Sequence, residues 1–249
     1  MSTYKKYEIT GAHNVRDLGG YKTENNKVTK TGRFVRSDSL HRIDKNSIIS
    51  LVEKNLSTVI DLRTKKEVRE EPNLLAELHG VNFLNLPLLE ELSPTFLGNV
   101  SVSSQADNPL LAFYLSALHE RQAAIKEIFL AMSDASPGLI LFNCTAGKDR
   151  TGIISALLLS LVRVPRLEII KNYTDSEKAI TKLVEEFLEN SRKRGEDTDS
   201  YSRMLQCPPE IMDSALSSVV DEHGDIENYL KNAGLTQNCL IKLKDRLLK

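Results

Sequence analysis

The run Ser57-Thr58-Val59-Ile60-Asp61-Leu62 is β-branched and almost uncharged until its end, the pattern of a strand covered on both faces. Leu139-Ile140-Leu141-Phe142 reads the same way, and Val81-Asn82-Phe83-Leu84-Asn85-Leu86 is a further strand stopped by Pro87. Gly32-Arg33-Phe34-Val35-Arg36 is a short strand candidate, preceded by a turn at Asn14 to Tyr21. Between these runs the period changes to that of helices. Asp44 caps a helix that turns Ile48, Ile49, Leu51 and Val52 inward, and Thr64 with Glu67 has the spacing of a capping box directly after the first strand. Pro109 opens a helix with an apolar face through Leu111, Tyr114, Leu115, Leu118, Ile125, Ile128 and Phe129. The segment from Arg150 to about Val162 is apolar on nearly every side and is predicted to be a buried helix. Strands alternating with helices predict an α/β fold, a mostly parallel central sheet flanked by helices.

Beyond Pro165 the pattern is helical only. Ser176 to Lys193 reads as an amphipathic run, Gly195 to Ser200 as a polar loop, and further helices begin near Pro208 and Thr236. No internal repeat interrupts the chain. The organisation is one domain over 1–249, with a helical C-terminal part at 165–249. The aperiodic stretch 88–108 has the character of a flap.

The composition, 41% hydrophobic and 27% charged, is that of a globular protein. A net charge of −1 gives no global basic field, which argues against a nucleic-acid partner. Any anionic ligand must then be drawn by cations placed locally. The three cysteines, Cys144, Cys207 and Cys239, form no disulfide framework and no C-x-x-C pair, and the five histidines lack ligand spacing. A reducing compartment with neither metal nor cofactor is expected. The longest apolar stretch, Ile153 to Val162, is far short of the ~20 residues that span a bilayer. The first eight residues have no signal-peptide core, so a cytoplasmic location is expected.

The strongest chemical signal lies where a buried strand meets a buried helix, in Asn143-Cys144-Thr145-Ala146-Gly147-Lys148-Asp149-Arg150-Thr151-Gly152. A phosphate ester handled without a metal needs an anion cradle, a nucleophile, charge neutralisation and a proton for the leaving oxygen. Backbone N–H groups converge at such a strand-to-helix turn, and the small residues Ala146 and Gly147 let the chain wrap around a tetrahedral anion. Cys144 sits at the bottom of that cradle, where the N–H groups and the helix dipole favour a thiolate. Arg150 can fork two phosphate oxygens. Lys148 adds a second cation, Asp149 is the nearby proton donor, and the Thr151 hydroxyl can reach the departing thiolate. A nucleotide-binding loop is excluded for Gly147-Lys148, because Asp149 replaces the Ser/Thr and Phe142 stands at the first glycine position.

The Cys-x5-Arg-Thr pattern resembles the signature of the protein tyrosine phosphatase superfamily. CTAGKDRTG at Cys144 to Gly152 is similar to bacterial tyrosine and dual-specificity phosphatases that also attack phosphoinositides. Asn14 to Tyr21 (NVRDLGGY), Asp61-Leu62-Arg63 with Glu67 behind it, and Gly224 to Thr236 agree with that group. The resemblance implies a phosphocysteine formed on Cys144, with Arg150 holding the phosphoryl group and Asp149 as general acid. Thr145, Ala146, Gly147, Lys148 and Thr151 would bind substrate. Asp61, at the strand end on the edge where ligands gather, reads either as a catalytic assistant or support of Arg150, or equally as a structural cap. The substrates implied are phosphorylated protein, with phosphotyrosine foremost, or phosphoinositide. The family usually has His where Asn143 stands, and Asn cannot carry its positive charge. That departure motivates the rival reading, a pseudophosphatase that binds phosphorylated ligands without turnover. Arg16 and Asp17 read as a buttressing turn.

Overall fold

The computed structural model describes residues 7–89 and 108–249. Its centre is a five-stranded sheet of β1 (Arg16–Asp17), β2 (Phe34–Ser37), β3 (Leu56–Asp61), β4 (Asn82–Asn85) and β5 (Leu139–Asn143). The spatial order is β1-β2-β5-β3-β4. Only β1 runs antiparallel to its neighbour; β2, β3, β4 and β5 are parallel, as the sequence predicts. The two central strands, β5 and β3, are buried along their whole lengths. Period-two alternation divides their side chains between two cores. Leu139, Leu141, Val35 and Val59 face one layer, while Ile140, Phe142, Phe34 and Ile60 face the other.

The first layer is thin. It is capped by α1 (Lys45–Glu53), whose N-cap Asp44 accepts from the Ser47 amide. The inward stripe of α1 is narrower than its apolar pattern implies: Leu51 is buried, but Ile49 and Val52 remain 54% and 48% exposed. Ser47 takes the inward place instead, accepting the Thr10 amide at 2.9 Å. The short helix α2 (Lys65–Glu70) follows β3 at once and carries the predicted capping box.

The other layer is thick and helical. It contains α3 (Pro109–Glu120), α4 (Gln122–Asp134), α5 (Asp149–Leu161), α6 (Arg166–Ala179), α7 (Thr181–Lys193), α8 (Thr198–Leu205), α9 (Pro209–His223), α10 (Ile226–Asn232) and α11 (Gln237–Leu247). The single helix predicted from Pro109 is two, because Arg121 leaves helical geometry at φ −112° and ψ 28°. The run through Ser176 to Lys193 likewise breaks at Ile180. The polar stretch read as a loop to Ser200 ends earlier, since Asp197 caps α8 by accepting from the Asp199 and Ser200 amides. Periodicity could not show these breaks, because apolar residues continue in phase across them. Of the stretch read as a flap, 90–107 lies outside the described residues; Leu88 and Leu89 are buried, and Asn108 caps α3.

Helix α5 is buried at all but two of its thirteen positions, matching its all-round apolar pattern. The segment Gly224 to Thr236 docks on the same layer, where Tyr229, fully buried, donates its hydroxyl to the Leu118 carbonyl at 2.6 Å. Among the described residues no helix is long and apolar enough to cross a membrane. Tyr229→Phe removes that donor and leaves the carbonyl of α3 unsatisfied. It should lower unfolding free energy by about 1–3 kcal/mol, read from the urea midpoint, with activity per folded molecule unchanged.

Candidate active site

The carboxyl ends of β2, β3 and β5 lie side by side, with Ser37, Asn143 and Asp61 in register. This is the edge of a parallel sheet where ligands gather. From it Cys144 to Lys148 turns out of β5 and into α5. Gly147 has φ +65°, and a Cβ there would stand 2.6 Å from the Ser37 carbonyl oxygen and the Asp38 nitrogen. The loop therefore lies directly on the end of β2, and only glycine permits it.

The carbonyls of the loop are held from outside. Ser39 N–H donates to the Thr145 carbonyl at 3.0 Å, and the Asn14 side-chain amide donates to those of Ala146 and Gly147 at 3.0 Å each. Arg36 donates to the Gly147 carbonyl as well, at 2.5 Å. In a trans peptide the N–H points opposite its carbonyl, so pinning these oxygens outward turns the amides of Ala146, Gly147 and Lys148 inward. Asn14 is itself fixed, its N–H and that of His13 both donating to the buried Asp38 carboxylate. Cys144 is 3% exposed and free, whereas Thr145, Ala146 and Asp149 are half-buried and form the open side.

Arg150 meets Glu67 through two parallel bonds, 2.8 Å to Oε2 and 2.7 Å to Oε1. The same carboxylate accepts the Thr145 hydroxyl at 2.5 Å and, through the capping box, the Thr64 amide at 2.7 Å. Burial pushes the Glu67 carboxyl up, but the bonds and charge of Arg150, with the Thr145 bond, outweigh it and hold the group at about 2. Glu67 is the residue whose role sequence reading missed. Its spacing from Thr64 announced a helix cap, and a cap can use one oxygen while the other faces a distant segment.

Two sequence expectations need correction. Asp61, read as a possible catalytic assistant or support of Arg150, is fully buried and holds Arg63 instead, through Nε at 2.9 Å and Nη2 at 2.8 Å. Asn73 donates to its Oδ2 at 3.0 Å, which fits the structural cap that was the other reading. Lys148, read as a second cation beside Arg150, is 1% exposed. Its ammonium donates to the carbonyls of Met204 at 2.6 Å and Gln206 at 2.9 Å, and stands 3.2 Å from Asp149 Oδ1. Carbonyls at a helix C-terminus lack intrahelical donors, so the end of α8 draws the cation in.

Asp149 Oδ1 also accepts the Tyr114 hydroxyl at 2.9 Å. The Thr151 hydroxyl is buried with no partner among the described residues. Asn143 accepts from Asn73 at 3.3 Å through Oδ1, and its Nδ2 has no partner among the described residues. Arg16 and Asp17 act as braces. Arg16 reaches the Asn172 carbonyl at 2.8 Å and Ser176 at 3.0 Å, while Asp17 takes the amides of Gly19 and Gly32 at 2.7 Å each.

A buried cysteine inside a ring of inward amides, with a buttressed arginine at the helix mouth, is a constellation suited to a tetrahedral oxyanion. The chain belongs to the tyrosine phosphatase family, whose model matches residues 7–249, and it is thereby a phosphoric monoester hydrolase. It is similar to a tyrosine-protein phosphatase of Nostoc commune, 28% identical over 86% of this chain and 74% of that one. It is also similar to the triple specificity protein phosphatase PtpB of Mycobacterium tuberculosis, 25% identical over 97% of this chain and 98% of that one.

The Glu67 carboxyl lies below its ordinary value of 4.5, so its contribution to stability is present above that pH and is lost as pH falls toward about 2. Glu67→Gln should flatten the acid limb of stability against pH, followed by thermal melts, and loosen Arg150 so that KM for an aryl phosphate rises. Asp61→Asn strips a buried arginine of its partner and should destabilise by about 3–5 kcal/mol, with no dependence of activity loss on the leaving group.

Proposed function

We propose that this phosphatase works through Cys144, forming a phosphocysteine intermediate, with phosphotyrosine as its leading substrate. The observation that carries this reading is the loop itself, with carbonyls pinned outward and amides turned inward above a buried cysteine. The reading takes the matched residues as a single phosphatase domain. In the first step the Cys144 thiolate attacks phosphorus, the P–O bond to the leaving group breaks, and Asp149 passes its proton to the departing oxygen. In the second step Asp149 takes a proton from water, whose oxygen attacks phosphorus and expels the sulfur as thiolate and phosphate as product. The inward amides meet charge on the equatorial oxygens, and Arg150 clamps two of them from a fork already aligned by Glu67. The Thr151 hydroxyl, without a partner among the described residues, is a donor left over for the leaving sulfur.

Asp149 suits the acid role by place: it is half-buried at the open side of the loop and oriented by Tyr114. Burial raises the Tyr114 phenol well above its usual range, so that hydroxyl keeps its proton and remains a donor. A wider substrate range, including phosphoserine, phosphothreonine and phosphoinositides, draws support from the similarity to the triple specificity phosphatase of Mycobacterium tuberculosis. The burial of Lys148 removes one reason to favour polyphosphorylated ligands.

Cys144→Ser should lower turnover of an aryl phosphate by about 1,000-fold or more, while the inward amides still bind vanadate. Retention of more than about a tenth of wild-type activity overturns the assignment of Cys144. Vanadate binding by a wild-type chain that turns over none of a panel of phosphopeptides and phosphoinositides would establish the binding-only reading instead. Asp149→Asn should cost about 100-fold or more on alkyl phosphates and under about tenfold on nitrophenyl phosphate, because the proton matters most when the leaving oxygen is basic.

A further inference from the structure

We infer that Arg36 is a positioning residue for Cys144, a buried cation behind the loop that offsets negative charge gathered at the sulfur. The inference rests on the proposal that Cys144 is the reacting group. Arg36 lies on β2 opposite Phe142 of β5, two residues before Cys144, and is fully buried. Its guanidinium donates to the Gly147 carbonyl at 2.5 Å, to Asn172 Oδ1 at 2.5 Å and to Ser176 Oγ at 3.3 Å. All three acceptors are neutral. Among the described residues Arg36 forms no ion pair, and its buried Nε has no hydrogen-bond partner.

A fully desolvated charge without a counter-ion is costly, and the same core shows the usual remedy at Arg63, which Asp61 grips with both oxygens. A purely structural bond to the loop would not require the charge either. Gly147 already receives the Asn14 amide, and a neutral side chain could complete the packing. Among the described residues the titratable groups whose charge bears most on Arg36 are Arg16 of β1, Tyr21 of the following turn, Cys144 of the loop and Tyr114 of α3, with Cys207 after α8. Arg16 adds charge of the same sign. Burial holds the Tyr114 phenol protonated and pushes the Cys207 thiol up to about 12, so neither offers an anion near neutral pH. Burial and the neighbouring Arg16 push Arg36 itself down to about 9, which still leaves it charged there. Tyr21, whose interaction also favours the charge of Arg36, is a buried phenol that accepts the Asn172 amide at 2.8 Å. That leaves the sulfur of Cys144 as the partner for the charge, first as thiolate and then carrying the phosphoryl group. Arg150 grips the substrate from the solvent side, and Arg36 acts from the sheet side.

The test uses the full chain with Arg36→Met, Arg36→Lys and, if the first does not accumulate folded, Arg36→Gln. Iodoacetamide alkylation of Cys144 is followed across pH, with Cys144→Ser giving the background from Cys207 and Cys239. Arg36→Met or Arg36→Gln should move the half-maximal pH of alkylation upward by about one unit. Arg36→Lys, which keeps the charge, should move it much less. In the neutral variants kcat should fall more than KM rises, with stability to urea equal to wild type or greater. An unmoved alkylation profile with reduced stability would overturn the inference and leave Arg36 as a brace. The parent reading fails separately, if Cys144→Ser still hydrolyses aryl phosphate, whatever the Arg36 variants do.

Discussion

An anion cradle made of backbone amides is possible only if the opposite edge of the same peptides is satisfied elsewhere. Here the carbonyls of Thr145, Ala146 and Gly147 each receive donors from behind, supplied by Ser39, Asn14 and Arg36. Without them those oxygens would compete for the cavity, and the loop could relax toward ordinary turns. The donors come from the N-terminal turn and from β2 and the segment just after it, all more than a hundred residues before the loop. The parallel pairing of β2 with β5 brings the two regions together. The antiparallel strand β1 holds the N-terminal segment beside them, and Asp38 ties it down through two amides.

A second connection shares one carboxylate among three duties. Glu67 closes the capping box of α2, accepts the Thr145 hydroxyl and holds both arms of Arg150. Because α2 follows β3 immediately, the helix start lies beside the loop from β5, and a local folding signal becomes a support for the site. On the other side, Lys148 joins the loop to the end of α8, and Tyr114 joins Asp149 to α3. The thick helical layer therefore bears directly on the loop, beyond covering the sheet.

Much of this was legible in the chain. The buried strands around Ile60 and Leu141, the capping box, the buried helix after Arg150 and the parallel order follow from periodicity and from a few capping residues. Each is decided by neighbours within a turn or a strand. The loop that carries Cys144, Asp149 and Arg150 was also legible, because the proposed nucleophile, acid and clamp and the glycine that lets the chain turn fall within seven consecutive residues.

Partners distant in sequence were not legible. No local rule distinguishes Asp61 as the partner of Arg63 from Asp61 as a support for Arg150. Both are carboxylate–arginine pairs, and only the chain path after β3 selects between them. Lys148 reads as a second cation beside Arg150 until the end of α8 and the residue capping it present the Met204 and Gln206 carbonyls to it. Arg36 reads as an ordinary strand residue until packing removes it from water with only neutral acceptors for its guanidinium among the described residues. The sequence by itself determined the buried strands, the capped helix starts and the loop that carries Cys144, since those depend on short-range sterics and hydrogen bonding. The tertiary structure alone decided which charges meet, because charge pairing in a desolvated interior depends on distances that only the packed chain sets.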